Sequence, residues 1–236
     1  KYIDRADVII YAGSLVNEHV LDDRKPEAVV YNSAYMHLDE VIGVMKEAEA
    51  AGLMTARVHT GDPSIFGAVR EQMDALDALH IPYEVIPGVS SFLGAAASLK
   101  KEYTLPGVSQ TVILTRMEGR TPVPEGEKLT DLAKHHATMI IFLSAGMMET
   151  LVGTLREVYP EHTPAAVVYK ATWEDEKIVI GDLTNISEKV KAAGITKTAL
   201  TIVGDFLGDE YELSKLYDKT FTTEFRQGQP EAENER

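Results

Sequence analysis

The chain has 236 residues, of which 23 are basic and 37 acidic, and a formal net charge of −14 at pH 7. This length allows one large domain or two α/β domains, each able to bury its own core. Hydrophobic residues make up 44% and charged residues 25%, which is typical of folded globular proteins and excludes collagen-like, low-complexity and largely disordered chains. The absence of cysteine excludes disulfide scaffolds, cysteine-based metal sites and cysteine nucleophiles.

The acidic balance argues against nucleic acid as a partner, because such binding depends on Lys and Arg neutralising phosphates. No apolar stretch approaches the roughly 18 residues of a membrane helix, so we expect no membrane partner. The chain opens at Lys1 with neither an initiator Met nor a charged-then-apolar leader. We therefore expect a cytoplasmic protein without a signal peptide, whose first residue is not the natural start.

Strands and helices alternate along the first half, which predicts a parallel or mostly parallel sheet with crossover helices. Residues 7–12 form a continuous apolar run, typical of a strand buried on both faces. Apolar residues spaced i, i+3, i+4, i+7 from Val41 predict a helix that Asp39 caps and Gly52 ends. The other predicted elements of this half are strands at 55–59, 83–86 and 110–115 and helices at 65–79 and 90–99.

Residues 116–124 are rich in turn formers, and we place a domain boundary there, between 1–115 and 116–223. The second half also alternates, which predicts a second α/β domain. Its predicted helices are 127–135, 147–158 and 185–193, and its predicted strands are 138–143, 165–170, 177–180 and 199–203. The composition of 224–236 is too polar to bury much apolar surface and predicts a disordered acidic tail.

Two turns are the best candidates for ligand binding. Residues 59–67, HTGDPSIFG, leave the carboxyl end of a predicted strand and enter a helix, which is where open α/β sheets bind ligands. Residues 86–91, IPGVSS, also join a predicted strand to a helix. Each turn alone can be an ordinary helix cap, but two of them favour a shared crevice. Neither matches GxGxxG or a Walker loop, which argues against nucleotide hydrolysis and a standard dinucleotide site.

These turns resemble those of the tetrapyrrole methylase superfamily, and the resemblance covers nearly the whole chain. Segments 110–122 and 169–173 are similar to those of members that methylate C11 of precorrin-4 or cobalt-precorrin-4 in cobalamin biosynthesis. Further matching segments are 6–16, 175–177 and 214–217. The resemblance implies two α/β domains, usually in a homodimer. It also implies that S-adenosylmethionine binds in the cleft between the domains and leaves as S-adenosylhomocysteine.

Carried over by position, the resemblance implies cofactor-binding residues in both halves. They are Thr60, Gly61, Asp62, Ile65, Ser90 and Ser91 in the first, and Leu143, Ser144, Lys170, Ala171 and Thr172 in the second. The family's glycine-rich loop, Gly-x-Gly-Pro-Gly-Asp-Pro, follows its first strand and is absent here. We therefore expect residues 1–236 to lack the first strand of the fold and one wall of the site.

A corrin precursor carries many carboxylates, so an acidic chain needs a local positive patch to bind it. Arg116 and Arg120 lie beside the predicted cleft, and guanidinium groups can hold carboxylates in a bidentate manner. We predict that both bind substrate, although solvated loop charges are the simpler alternative. His37 and His59 lie near the ligand-facing turns and can contact the macrocycle. No histidine spacing suits a metal, so none is predicted, and no catalytic base is assigned.

Two other functions remain open at this point. The same fold can methylate another carbon of the corrin precursor, or an unrelated acceptor such as a modified protein residue. Alternatively, the chain can be a non-catalytic protein that binds nucleotide-like ligands. The sequence does not distinguish a cobalt-containing substrate from a metal-free one.

Overall fold

The helices and strands of the described residues, 1–229, form two separate α/β units in this computed structural model. The first unit comprises Lys1–Gly94, and the second begins at Ala95. Each unit contains its own sheet, of three strands in the first and five in the second. The prediction of an α/β fold in two parts is therefore confirmed.

The sheet of the first unit is parallel, with β1 in its centre. Its strands are β1 (Val8–Tyr11), β2 (Val29–Asn32) and β3 (Thr55–Val58), in the order β2-β1-β3. The helices are α1 (Leu38–Ala50), α2 (Arg70–Ala78) and α3 (Ser91–Leu99), the last of which continues into the second unit. Val8 and Ile10 pack against α1 and α2 on one face of β1, and Ile9 packs against Leu21 on the other. Burial of both faces explains the continuous apolar run of this strand.

The second sheet is mixed, and its central strand is the last one in sequence. The strands are β4 (Val112–Arg116), β5 (Thr138–Phe142), β6 (Pro164–Tyr169), β7 (Lys177–Asp182) and β8 (Ala199–Val203), in the order β4-β5-β8-β6-β7. The helices are α4 (Leu129–Ala133), α5 (Met148–Arg156) and α6 (Ile186–Ala192). Fully buried side chains such as Ile141, Leu151 and Ile186 form its core.

The strand directions bring three loops to one edge of the second sheet. β8 is antiparallel to both of its neighbours, β5 and β6. The carboxyl ends of β5 and β6 therefore lie beside the amino end of β8, where Tyr169 pairs with Ala199. This edge carries the residues that follow β5 and β6 and those that precede β8.

Some predicted elements of the first half are wrong. Residues 83–86 form no strand, and Tyr83, Val85 and Ile86 are exposed, because an apolar run does not itself supply a neighbouring strand for hydrogen bonding. The helix predicted from residue 65 begins at Arg70, since Phe66 and Ala68 adopt φ values of +54° and +49°. The strand β2 is missing from the predicted elements, although Val29, Val30 and Tyr31 are typical strand residues; its faces are largely exposed.

The division between the units differs from the boundary predicted at 115/116. β4 pairs with β5 and therefore belongs to the second sheet, and the units divide within α3, between Gly94 and Ala95. Alternation of strands and helices cannot show which sheet a strand joins.

In the predicted tail, Arg226 donates to the carbonyl oxygens of Leu216 and Asp218, so residues 224–229 are bonded to the preceding segment. Residues 230–236 lie outside the described residues. None of the helices in residues 1–229 is long and apolar enough to cross a membrane.

We expect truncation of Phe206 to destabilise the second unit strongly. Its side chain is 0% exposed and meets the Tyr103 ring edge-on, with 5.2 Å between ring centroids. Phe206→Ala should lower the free energy of unfolding by about 3–5 kcal/mol in urea titrations, because it removes core contacts and leaves a cavity. The control is Phe225→Ala, whose side chain is 94% exposed and whose effect should stay within about 0.5 kcal/mol. Equal effects of the two substitutions would contradict this description of the core.

Candidate functional site

The turn after β3 is organised by the carboxylate of Asp62. One carboxylate oxygen, Oδ1, accepts hydrogen bonds from the backbone N–H of Ser64 at 2.9 Å and from its hydroxyl at 2.5 Å. The other, Oδ2, accepts from the backbone N–H of Gly88 at 2.9 Å. The Ser64 hydroxyl contributes most, followed by the two N–H groups, to lowering the pKa of Asp62 below its ordinary value. Asp62 is therefore ionised at neutral pH and is shared between the two predicted turns.

Glycines let the backbones of the two turns approach closely. A Cβ atom at Gly88 would lie 2.1 Å from the carbonyl oxygen of Gly61, a distance that no side chain can occupy. Gly61 has φ of +60°, and a Cβ there would lie 3.1 Å from the Cα atom of Ser90. The prediction that the two turns lie together is confirmed. Ligand binding by them stays a prediction.

The remaining predicted cofactor residues of the first unit lie on or beside this pair of turns. Thr60 and Ser91 are exposed, so their hydroxyl groups are accessible, whereas Ser90 is buried. The carbonyl oxygen of Ser90 accepts the N–H of Leu93 at 2.9 Å, which begins helix α3. The N–H of Ile65 donates to the carbonyl oxygen of Asp62 at 3.2 Å. The bonds just described at Ser90 and Ile65 are made by backbone groups, so the start of the helix does not occupy the hydroxyls of Thr60 and Ser91. Both the helix-capping interpretation and the ligand-binding interpretation therefore agree with this geometry.

His59 directly follows β3, and one nitrogen of its ring has no hydrogen-bond partner within the described residues. Its Nε2 atom is buried and makes no hydrogen bond within the described residues. Burial, and secondly the positive charge of Arg57, lower the pKa of His59 from 6.5 to about 4. The ring is therefore neutral at pH 7. A buried polar atom without a partner is costly, which makes it a candidate for contact with a ligand.

Arg57 is a residue that the sequence did not single out. Its guanidinium donates to the side-chain oxygen of Gln72 and to the carbonyl oxygen of Ile10, both at 3.1 Å. Burial lowers its pKa below the ordinary value. The guanidinium thus fixes β3 to α2 and β1 and keeps a positive charge beside His59. An Arg inside an apolar strand is the signal that was available in the sequence.

The predicted cofactor residues of the second unit lie at the edge where β5 and β6 end. Leu143, Lys170 and Thr172 have φ values of +53°, +47° and +70°, and Thr198, just before β8, has φ of +54°. Residues other than glycine rarely adopt this conformation, and such strain concentrates at functional sites. The sequence did not indicate Thr198, whose carbonyl oxygen accepts the N–H of Lys170 at 2.9 Å. This cluster of left-handed residues supports the placement of a binding surface at the sheet edge.

Two polar side chains at this edge are occupied by the fold. The Ser144 hydroxyl donates to the carbonyl oxygen of Ile141 and lies 3.0 Å from the Thr201 hydroxyl, and the whole residue is 0% exposed, so Ser144 presents no group to a ligand directly. The Lys170 ammonium lies 2.5 Å from a carboxylate oxygen of Asp175 and 4.8 Å from the centre of the Trp173 ring. The hydrogen bond to Asp175 is the main reason that the pKa of Lys170 is raised. The positive charge of Lys170 is therefore compensated locally.

The side chains of the predicted substrate-binding residues differ in how far they are already bonded within the protein. Arg116 donates to the carbonyl oxygens of Met117, Thr121 and Pro122. Its guanidinium therefore stabilises the loop that follows it, and most of its donors are occupied. Arg120, within that loop, is exposed. His37 precedes α1, where its backbone N–H donates to Glu40 at 3.0 Å and its Nε2 lies 3.6 Å from the same carboxylate, which is a capping arrangement. Sequence spacing could not show that Arg116 closes a loop.

Other candidate sites are weaker. Residues 1–229 contain no group of three or more His, Asp or Glu side chains placed to hold a metal ion. A cavity of about 560 Å³ in the second unit is lined by acidic side chains, among them Asp205, Asp209 and Glu210. Such a lining repels a polycarboxylate.

The environment of His59 gives a direct prediction. In an NMR titration of the imidazole resonances, the midpoint for His59 should lie near pH 4. The resonance that disappears in His59→Gln identifies this residue. Between pH 6.5 and about 4 the unfolded chain binds a proton at this position that the folded chain does not. Stability contributed by this group is therefore lost as the pH falls through that window. A midpoint near the ordinary value of 6.5 would contradict the buried environment.

Comparison with known proteins agrees with these observations. A model of the family described as Tetrapyrrole (Corrin/Porphyrin) Methylases matches residues 1–187. The Cobalt-precorrin-4 C(11)-methyltransferase of Methanocaldococcus jannaschii is 59% identical over 228 residues, covering 96% of this chain and 88% of that protein. The enzyme of the same name from Priestia megaterium is 46% identical, covering 97% of this chain and 90% of that protein.

A solved structure shows the same fold. The X-ray structure of a cobalt precorrin-4 methyltransferase, a cobalamin biosynthetic enzyme, matches with a TM-score of 0.86 and 45% identity. The match covers 88% of this chain and 87% of that one. Since the family model spans most of the sequence and the relatives span nearly all of it, the chain belongs to the tetrapyrrole (corrin/porphyrin) methylase family.

Proposed function

We propose that this enzyme transfers a methyl group from S-adenosylmethionine to C11 of cobalt-precorrin-4, a step of cobalamin biosynthesis. The observation that carries the proposal is the 59% identity, over 96% of the chain, to a cobalt-precorrin-4 C11-methyltransferase. The solved structure with a TM-score of 0.86 bears the same activity in its description. The proposal favours the cobalt-containing substrate over metal-free precorrin-4 on these relatives, and favours C11 over other carbons and acceptors.

The residues present are suited to S-adenosylmethionine. In the first unit, the interlocked turns offer the hydroxyls of Thr60 and Ser91 beside the close backbone approach at Gly61. In the second unit, strained backbone at Leu143, Lys170 and Thr172 supports a binding surface made of main-chain groups. The residues proposed to hold the cofactor are Thr60, Gly61, Asp62, Ile65, Ser90, Ser91, Leu143, Ser144, Lys170, Ala171 and Thr172. Asp62 and Ser144 would act by shaping the backbone, since their side-chain oxygens are engaged within the protein.

S-adenosylmethionine supplies an electrophilic methyl group on a positively charged sulfur, which is neutral after the transfer. The protein's main contribution would be to hold the methyl group, the sulfur and the acceptor carbon in line. Charges near the proposed site are compensated: Asp62 by three hydrogen bonds and Lys170 by Asp175. His59 is neutral at pH 7 and can offer its Nε2 atom to a ligand without adding charge.

The polycarboxylate substrate requires positive charge, and of the two predicted arginines Arg120 is the better candidate to supply it. Its side chain is exposed, whereas Arg116 is bonded to three carbonyl oxygens of the loop that carries Arg120. We therefore assign carboxylate binding to Arg120, and to Arg116 the role of holding the loop. His37 and His59 are proposed to contact the macrocycle. The family resemblance further supports a homodimer in the cytoplasm.

The identity of the product tests this proposal. Purified protein should convert cobalt-precorrin-4 and S-adenosylmethionine carrying a ¹³C-labelled methyl into a product heavier by one methyl group, with the label at C11 in the NMR spectrum. Metal-free precorrin-4, tested in parallel, should react more slowly. Transfer of the label to another carbon would contradict the assigned position, and the absence of any methylated tetrapyrrole would contradict the proposed activity.

A further inference from the structure

The loop between β6 and β7 contains two strained residues within three positions. Lys170 has φ of +47° and Thr172 has φ of +70°. Neither is a glycine, so the surrounding contacts must hold the turn in this conformation. Main-chain groups of this turn belong to the proposed cofactor surface, and their positions therefore matter more than their side chains.

Glu176 makes the contact that holds Thr172. Its Oε2 atom accepts the backbone N–H of Thr172 at 2.6 Å and the hydroxyl of Ser98 at 2.5 Å. Bonds to an ionised carboxylate are shorter and stronger than neutral ones. Ser98 lies near the end of α3, the helix that begins at Ser91. One carboxylate oxygen thus joins the strained turn to a regular helix within the second unit.

We infer that Glu176 is a positioning residue for the cofactor, acting through the backbone of Thr172. The inference rests on the proposed function, because it takes the turn at 170–172 as part of the cofactor site. Glu176 is partly buried, and its Oε2 atom is bonded to Ser98 as well as to Thr172, so it connects the turn to α3. Because the turn is held in place before binding, less conformational freedom is lost when the cofactor binds.

The rest of the loop is consistent with this role. Asp175 pairs with the Lys170 ammonium at 2.5 Å, and the Trp173 N–H donates to the carbonyl oxygen of Lys170 at 3.0 Å. The side chains of Asp175 and Glu176 are therefore both bonded to the turn itself. Of the three adjacent acidic residues of this loop, Asp175 and Glu176 are thus engaged within it, whereas Glu174 is exposed.

Affinity for S-adenosylmethionine and S-adenosylhomocysteine, measured by calorimetry on the full chain, tests the inference. Glu176→Ala should raise both dissociation constants about tenfold, while kcat at saturating cofactor changes less than about threefold. Glu176→Gln retains a carbonyl oxygen that can accept the Thr172 N–H, and should stay within about threefold of the unmodified protein. The matched control is Glu174→Ala, which removes an equal charge from an exposed position in the same loop and should leave affinity unchanged.

The outcomes separate this inference from the function it rests on. If the unmodified protein binds neither ligand, the proposed function fails. If it binds both and Glu176→Ala binds them equally well, the inference alone is overturned, even if that variant unfolds at lower urea concentration. Should Glu176→Ala fail to fold by circular dichroism, Ser98→Ala carries the test. It removes one of the two bonds and should raise both dissociation constants about threefold, and unchanged values would overturn the inference.

Discussion

The carboxylate of Asp62 is the contact on which the proposed site depends. It closes its own turn through Ser64 and binds the second turn through the N–H of Gly88. The closeness of Gly61 and Gly88 allows this bridge, since a side chain at Gly88 would collide with the Gly61 carbonyl. Two loops that follow different elements are thereby fixed as one surface. The exposed hydroxyls of Thr60 and Ser91 depend on that surface for their positions.

Most charged side chains near the candidate residues are bonded to other groups of the protein. Arg57 bonds to Gln72 and to backbone carbonyl oxygens, Arg116 closes its own loop, and Lys170 pairs with Asp175. An uncompensated fixed charge beside a cationic cofactor would change the cofactor's affinity, and local compensation limits such an effect. Arg120, which is exposed, is the guanidinium that we propose for the substrate carboxylates on a chain whose net charge is −14.

The sequence predicted what depends on local pattern. The buried strands β1 and β5 follow from their apolar runs, and the two turns follow from glycine and proline after predicted strands. The partner of each strand could not be predicted in this way. The strand β4 was therefore assigned to the first domain, although it pairs with β5 of the second sheet, and residues 83–86 were assigned to a strand that does not form. The roles of Arg116, Thr198 and Glu176 depend on contacts between backbone and side chain that no spacing reveals. The family resemblance supplied the cofactor and the substrate class.

The most direct measurement of the central claim is the affinity of Asp62→Ala for S-adenosylhomocysteine, determined by calorimetry. Asp74→Ala is the matched control, because its carboxylate makes a surface ion pair with Arg70 on α2. We expect Asp62→Ala to keep its circular dichroism spectrum and to raise the dissociation constant about tenfold or more, whereas Asp74→Ala leaves it unchanged. A folded Asp62→Ala protein with unchanged affinity would contradict the claim that this carboxylate builds the cofactor site.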